Sequence, residues 1–289
     1  MSDPVDTNSQ TEGVGSNKGE EGQLGGGIFY RHWRANAPVR AIILLAHGLG
    51  EHGGRYQGFA EFFGERGISV VAPDHLGHGA SAGDRVHVLS FDDYLQPLDG
   101  LRELIASWYP GLPCILVGHS MGGLIAARYL LDHQDQFAAA ALSGAALQAA
   151  EPPSAFAMFL ARLFSRWLPK IGLLQLDATQ ISRDLQVVQD YLEDPLVHNG
   201  KASARLVVEL FKEMERVERD QNKITLPVFV MHGSADAMTT SAGSDAYYRG
   251  ISSTDKSLKI YDGLYHEIFN EPERLQVLGD LAGWIEARI

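Results

Sequence analysis

The chain of 289 residues carries one cysteine, Cys114, so no internal disulfide can form. Cys114 lies in Pro113-Cys114-Ile115-Leu116-Val117, an apolar run in which a thiol packs as a small hydrophobe on a buried strand. No stretch of about 18 apolar residues occurs, so no transmembrane helix is expected. The N-terminus has no basic segment followed by an apolar one, so no secretory signal is read and a cytoplasmic location is expected, with peripheral membrane contact left open. Basic residues are in deficit: 24 Lys and Arg stand against 36 Asp and Glu, a net charge of −12. That balance argues against nucleic acid as a partner. It also disfavours purely electrostatic attachment to anionic membranes, while apolar contact with lipid stays open. Residues 1–27 are nearly empty of large apolar groups and read as a mobile tail, part of which can still form a weak edge strand.

What is present suits one large domain with an inserted piece. Apolar residues make up 45% of the chain, enough for a substantial core. Residues 28–33 alternate like a strand, and 41–46 form a continuous apolar run ending at His47-Gly48. Such runs suit strands covered by helices on both faces. The rhythm repeats: helix 59–66 and strand 68–72, helix 91–109 and strand 114–117, helix 121–131 and strand 137–142. This predicts an α/β fold with a mostly parallel sheet flanked by helices. It breaks over 146–222, which opens with Pro152-Pro153, has helical periodicity without buried strands and closes with a charged helix over 206–219. The strand rhythm resumes at 227–231 and 258–261, and a helix over 273–289 ends the chain. The expected organisation is a tail (1–27), a core (28–145), a helical insertion (146–222) and the rest of the core (223–289).

Gly118-His119-Ser120-Met121-Gly122 carries the chemistry. A Gly-x-Ser-x-Gly stretch alone is weak, but here it follows a buried strand and opens a helix, the setting that lifts a serine hydroxyl above a sheet edge. The helix N-terminus favours developing negative charge, and the flanking glycines relieve crowding that a mere helix-capping serine does not face. A serine needs a base, and the base an orienting acid. His266 follows strand 258–261 through the turn Asp262-Gly263-Leu264-Tyr265. Asp236 follows strand 227–231 through His232-Gly233-Ser234-Ala235. Asp262 is the rival acid, but it lies close to His266 in sequence. The N–H groups of Met121 and Leu49 are the expected oxyanion donors, each contributing on the order of 3 kcal/mol. Leu49 is assigned from its loop position in His47-Gly48-Leu49-Gly50. His47 with Glu51 and His52, Asp74-His75 with His78, and His119 lack convincing zinc spacing, so no metal or cofactor is expected.

With these motifs in place, the chain resembles the monoacylglycerol lipase and lysophospholipase-like family of α/β-hydrolases over about residues 28–289. His47-Gly48-Leu49-Gly50-Glu51-His52-Gly53-Gly54-Arg55-Tyr56 resembles that family's oxyanion loop. Asp74-His75-Leu76-Gly77-His78-Gly79-Ala80-Ser81, the run from Gly118 to Gly123, Gly233-Ser234-Ala235-Asp236 and Gly263-Leu264-Tyr265-His266-Glu267 fit as well. So do Ser182-Arg183-Asp184 and Asp194-Pro195-Leu196. The resemblance implies an α/β-hydrolase fold whose helical cap lines an acyl tunnel and touches lipid, with Phe156, Phe159 and Leu163 among the apolar side chains available. Ordinary packing within the cap is the alternative for these. It implies glycerol recognition by Glu51, Arg55 and His119, and a single-chain lipid ester, foremost a monoacylglycerol, as substrate. Esterase, thioesterase or lysophospholipase activity, and a non-catalytic binder on the same fold, are the alternatives. The tail departs from the family, in which a strand usually precedes the segment beginning at Ile28.

Overall fold

The structure, a computed structural model, describes residues 19–151 and 153–289. Residues 1–18 of the expected tail, and Pro152 of the proline pair, lie outside the described residues. The first part of the chain supplies β1 (Glu20–Leu24), β2 (Ile28–Trp33), β3 (Ala41–Ala46), α1 (Gln57–Gly64), β4 (Ile68–Pro73), α2 (Asp92–Trp108), β5 (Cys114–His119), α3 (Met121–His133) and β6 (Ala139–Ser143). An insertion follows, with α4 (Ala155–Trp167), β7 (Gly172–Leu174), α5 (Leu185–Glu193), β8 (Ala202–Ser203) and α6 (Ala204–Asp220). The chain then returns with β9 (Val228–Gly233), α7 (Ser241–Gly250), β10 (Lys256–Tyr261) and α8 (Arg274–Glu286).

Eight strands form one sheet in the order β1-β2-β4-β3-β5-β6-β9-β10. β2 pairs antiparallel with β1 and β4, and the pairs from β4 through β3, β5, β6 and β9 to β10 are parallel. Parallel neighbours need crossover connections, which is why helices cover both faces. β3 shows how sequence becomes layer. Its residues alternate in direction, so Ile42 and Leu44 enter one core with Leu98, Leu101 and Leu124, while Ile43 and Leu45 enter the other with Phe59, Phe63 and Ile285. Both faces being covered, every residue of β3 is buried and the run reads as continuously apolar.

The expected tail ends earlier than residue 27. Glu20–Leu24 pair with β2 across Gly25–Gly27, where Gly26 and Gly27 both sit at φ +75°, a backbone region that L side chains avoid. This strand stands where the resemblance expects one before Ile28. Its sequence, Glu-Glu-Gly-Gln-Leu, conceals it because an edge strand is held by backbone hydrogen bonds and needs little apolar content.

The insertion departs from the all-helical expectation through the short antiparallel pair β7–β8. α6 places Leu206, Leu210 and Val217 in the core shared with α2 and α3. It also buries Glu213, whose carboxylate accepts from Nε of Arg128 on α3 at 2.9 Å. α4 packs on α6, and only Ala161 and Ser165 of α4 are buried. Leu44→Ala should therefore cost about 2–5 kcal/mol of stability, because a fully buried side chain leaves a cavity. Phe159→Ala, on the outward face of α4, should change it by no more than about 0.5 kcal/mol. Urea unfolding of the two variants checks the contrast.

Candidate active site

Ser120 stands between β5 and α3 at φ +54°, a strained conformation for a residue with a Cβ. The turn is fixed by what packs against it. A Cβ on Gly118 would lie 2.3 Å from the carbonyl oxygen of Gly122, and one on Gly122 would lie 2.0 Å from that of Ala46. Both positions therefore demand glycine. Ser120 N–H donates to the Ser143 carbonyl at 3.0 Å, and the Ser120 carbonyl accepts from Gly123 and Leu124 as α3 begins.

The turn aims Ser120 Oγ at Nε2 of His266, 2.8 Å away. Nδ1 of His266 lies 2.7 Å from Oδ2 of Asp236. Since Nδ1 faces a carboxylate, it carries the proton, and Nε2 of the neutral ring is free to accept one from the hydroxyl. Asp236 is held in turn: Oδ1 accepts from Met238 and Thr239 N–H at 2.8 and 3.0 Å, and Oδ2 from Thr239 Oγ1 at 3.0 Å. Nε2 of His232 also lies 3.0 Å from Oδ2, a contact that residue spacing did not single out. Burial alone would raise the Asp236 carboxyl, but the charge and hydrogen bond of His266, with further donors, hold it far below the usual range. Burial would lower His266, yet the Asp236 charge and hydrogen bond, joined by Glu267 and Glu51, leave it raised. The rival acid Asp262 instead accepts from Ser234 Oγ at 3.2 Å.

The loop after β3 brings Leu49 over the serine. Among the described residues, no hydrogen bond occupies the N–H of Leu49 or that of Met121. His47 anchors this loop: Nδ1 donates to the Gly48 carbonyl at 2.8 Å, and Nε2 accepts from His75 N–H at 2.9 Å. Glu51 Oε1 accepts from Gly48 N–H at 2.6 Å and from Tyr56 O–H at 2.8 Å. Arg55 donates through Nη1 to Glu51 Oε2, and forks onto both oxygens of Glu267 at 2.7 and 2.8 Å. Glu51 and Arg55, expected to recognise glycerol, thus meet each other in an ion pair at i,i+4 spacing. Glu267 follows His266 in the motif Gly263-Leu264-Tyr265-His266-Glu267 and gave no separate signal of its own. Asp74 accepts from Arg31, Gly53 N–H and Ala80 N–H, which makes it a loop anchor. Among the described residues, no group of three or more His, Cys, Asp or Glu converges as a metal-binding set.

Known proteins match this architecture along nearly the whole chain. The family model described as serine aminopeptidase, S33, matches residues 37–273. A protein of Mycolicibacterium smegmatis named monoacylglycerol lipase is 37% identical over 96% of this chain and 100% of its own. The human monoglyceride lipase is 35% identical over 90% of this chain and 87% of its own. The crystal structure of Paleococcus ferrophilus monoacylglycerol lipase superposes with a TM-score of 0.83 at 32% identity, covering 91% of this chain and 99% of that one. The chain belongs to this family of α/β-hydrolases.

In this α/β-hydrolase a small cavity lies at Ser120. Gly48, Leu49, Glu51, His119, His266 and Glu267 line it from the core, Met238 from the loop after β9, and Leu176, Ile181 and Tyr191 from the insertion. His119 also bonds Ser143 Oγ through Nδ1 at 3.2 Å, and burial lowers it to about 3, so its ring is neutral. Arg55 stands behind Glu51 and Glu267 with its guanidinium 4.7 Å from the Tyr191 ring centre. Phe156, Phe159 and Leu163, expected as tunnel-lining or cap-packing residues, are not among the described residues that line the cavity at Ser120. They are exposed, Phe156 and Phe159 to 69% and 62%, while the side of α4 that carries Ala161 and Ser165 is buried and Met158, Leu160 and Phe164 are half-buried. The later part of the insertion is tied down on both sides of Ser120. His198 N–H donates to the Gly50 carbonyl at 2.7 Å, His52 Nε2 lies 2.9 Å from Asp194, and Glu267 N–H donates to the Ile181 carbonyl at 2.8 Å.

Burial lowers His32 and His78 to about 4 and His75 and His119 to about 3, so all four are neutral in the fold. Below pH 6.5 the unfolded chain binds protons that the fold refuses, so stability falls with pH from that point towards 4. His266, being raised, contributes in the opposite sense, as stability lost when pH rises through its own value. The urea midpoint should drop steadily between pH 6.5 and 4.5, and His119→Gln should flatten part of that slope.

Proposed function

We propose that the protein is a serine hydrolase that cleaves carboxylic esters of single-chain lipids, foremost monoacylglycerol to glycerol and fatty acid. The observation that carries this is the line of Ser120 Oγ, His266 and Asp236 at 2.8 and 2.7 Å. Ser120 attacks the ester carbonyl while His266 takes its proton. Asp236 holds the tautomer and stabilises the imidazolium. The N–H groups of Leu49 and Met121 receive the oxyanion. His266 returns its proton to the departing glycerol oxygen, and water, activated by the same base, releases the fatty acid.

The substrate class draws support from relatives that bear the name monoacylglycerol lipase and align along almost their full length. Leu176, Ile181 and Met238 give the cavity apolar walls for an acyl chain, while Glu51 and His119 offer polar atoms to glycerol hydroxyls. The insertion serves as the cap, and its exposed Phe156, Phe159 and Trp167 touch a lipid surface from which substrate enters.

Ser120→Ala should lower kcat on a monoacylglycerol by about 10⁴-fold or more while leaving circular dichroism and thermal unfolding unchanged. A variant that keeps most of its activity overturns the reading. The base must be neutral to act, and His266 is raised above 6.5. So kcat/KM should fall with decreasing pH through a midpoint above 6.5, which a pH profile from 5 to 9 checks.

A further inference from the structure

Glu51 and Glu267 both face the ester cavity, and one cation stands behind them. The Arg55 side chain is only 9% exposed, and its charge is already shared. Nη1 donates to both glutamates, Nη2 donates to Glu267, and the flat face of the guanidinium rests on Tyr191. Asn270 adds a donor to Glu267 Oε2 at 2.8 Å, which fixes the carboxylate in place. Among the described residues, no Lys or Arg lines this cavity or the one beside it, which includes Leu49, His198 and Asn199. His119 is neutral there.

An ester whose alcohol carries a phosphate would meet two carboxyl groups and no available cation. A guanidinium is the side chain best shaped to take a phosphate, through two parallel hydrogen bonds. Here Glu267 already occupies that fork. We propose that Glu267 is a specificity-determining residue, one that by holding the Arg55 fork closes the ester cavity to alcohols bearing a phosphate and confines the enzyme to uncharged leaving alcohols. This rests on the ester-hydrolase reading above and narrows it, since it separates glycerol esters from lysophospholipids by a contact within the protein itself.

Two non-hydrolysable probes test it below their micelle concentrations: octyl glyceryl ether and its phosphate monoester. Each is titrated as a competitive inhibitor of turnover of a short-chain chromogenic ester. In the native protein the phosphate should compete about 100-fold more weakly than the neutral ether, as like charges across a closed contact require. In Glu267→Gln the freed Arg55 donors should narrow that ratio by about tenfold or more. Arg55→Met combined with Glu267→Gln should abolish the gain, since the cation that produced it is gone. Equal inhibition by the two ethers in the native protein overturns the proposal, and that arm needs no variant to fold. An unchanged ratio in Glu267→Gln, or a gain that survives in the double variant, overturns it as well. Failure of the ester-hydrolase reading looks different: monoacylglycerol and the chromogenic ester are then not turned over at all.

Discussion

The close approach of two backbones at Gly122 is the constraint on which the rest of the structure depends. The turn from β5 into α3 lies so near the end of β3 that a single Cβ there would reach within 2.0 Å of the Ala46 carbonyl. That contact sets the φ of Ser120 and brings the start of α3 against the loop that carries Leu49. One backbone arrangement thus positions Ser120 and the N–H groups of Leu49 and Met121. A rigid sheet supplies the two ends. β3 and β5 pair in parallel from Ile42 with Cys114 to Ala46 with Gly118, so neither end shifts without the other.

Around this contact the buried polar groups work as ties between loops. His47 joins its own loop to the end of β4, Asp74 joins β2 to the loops on either side of β4, and Glu51 holds Gly48. The network Glu51-Arg55-Glu267 then connects the loop after β3 to the loop that carries His266. Burial would push both carboxyls up. Glu51 stays raised, while Arg55, through its charge and hydrogen bonds, brings Glu267 down to about 2. Breaking such a network from one side leaves a buried charge without its partner. Its members therefore act on the geometry of the site as well as on the charge an incoming substrate meets.

The sequence showed the parallel sheet because strands such as β3 and β5 are covered twice and must be apolar throughout. Ser120, Asp236 and His266 were legible as candidates because each sits just beyond a strand on a short polar turn. β1 escaped notice as a firm strand because its five residues contribute pairing and little apolar surface. β7 and β8 are too short for any period to register. The ion pair between Glu267 and Arg55 was hidden because the two lie 212 positions apart and only folding joins them. The apolar residues of α4 revealed an amphipathic helix, but periodicity does not say which way a face turns. In the fold Ala161 and Ser165 are buried and Met158, Leu160 and Phe164 half-buried, while Phe156, Phe159, Leu163 and Trp167 are exposed.

The central claim is that Ser120 is nucleophilic because His266 removes its proton. The most direct measurement is to treat the native protein and His266→Ala with a fluorophosphonate and to locate the adduct by peptide mass spectrometry. The account predicts an adduct on the peptide containing Ser120 in the native protein and almost none in His266→Ala, although the serine is present in both. Equal labelling of the two proteins, or an adduct on a different residue, would contradict it.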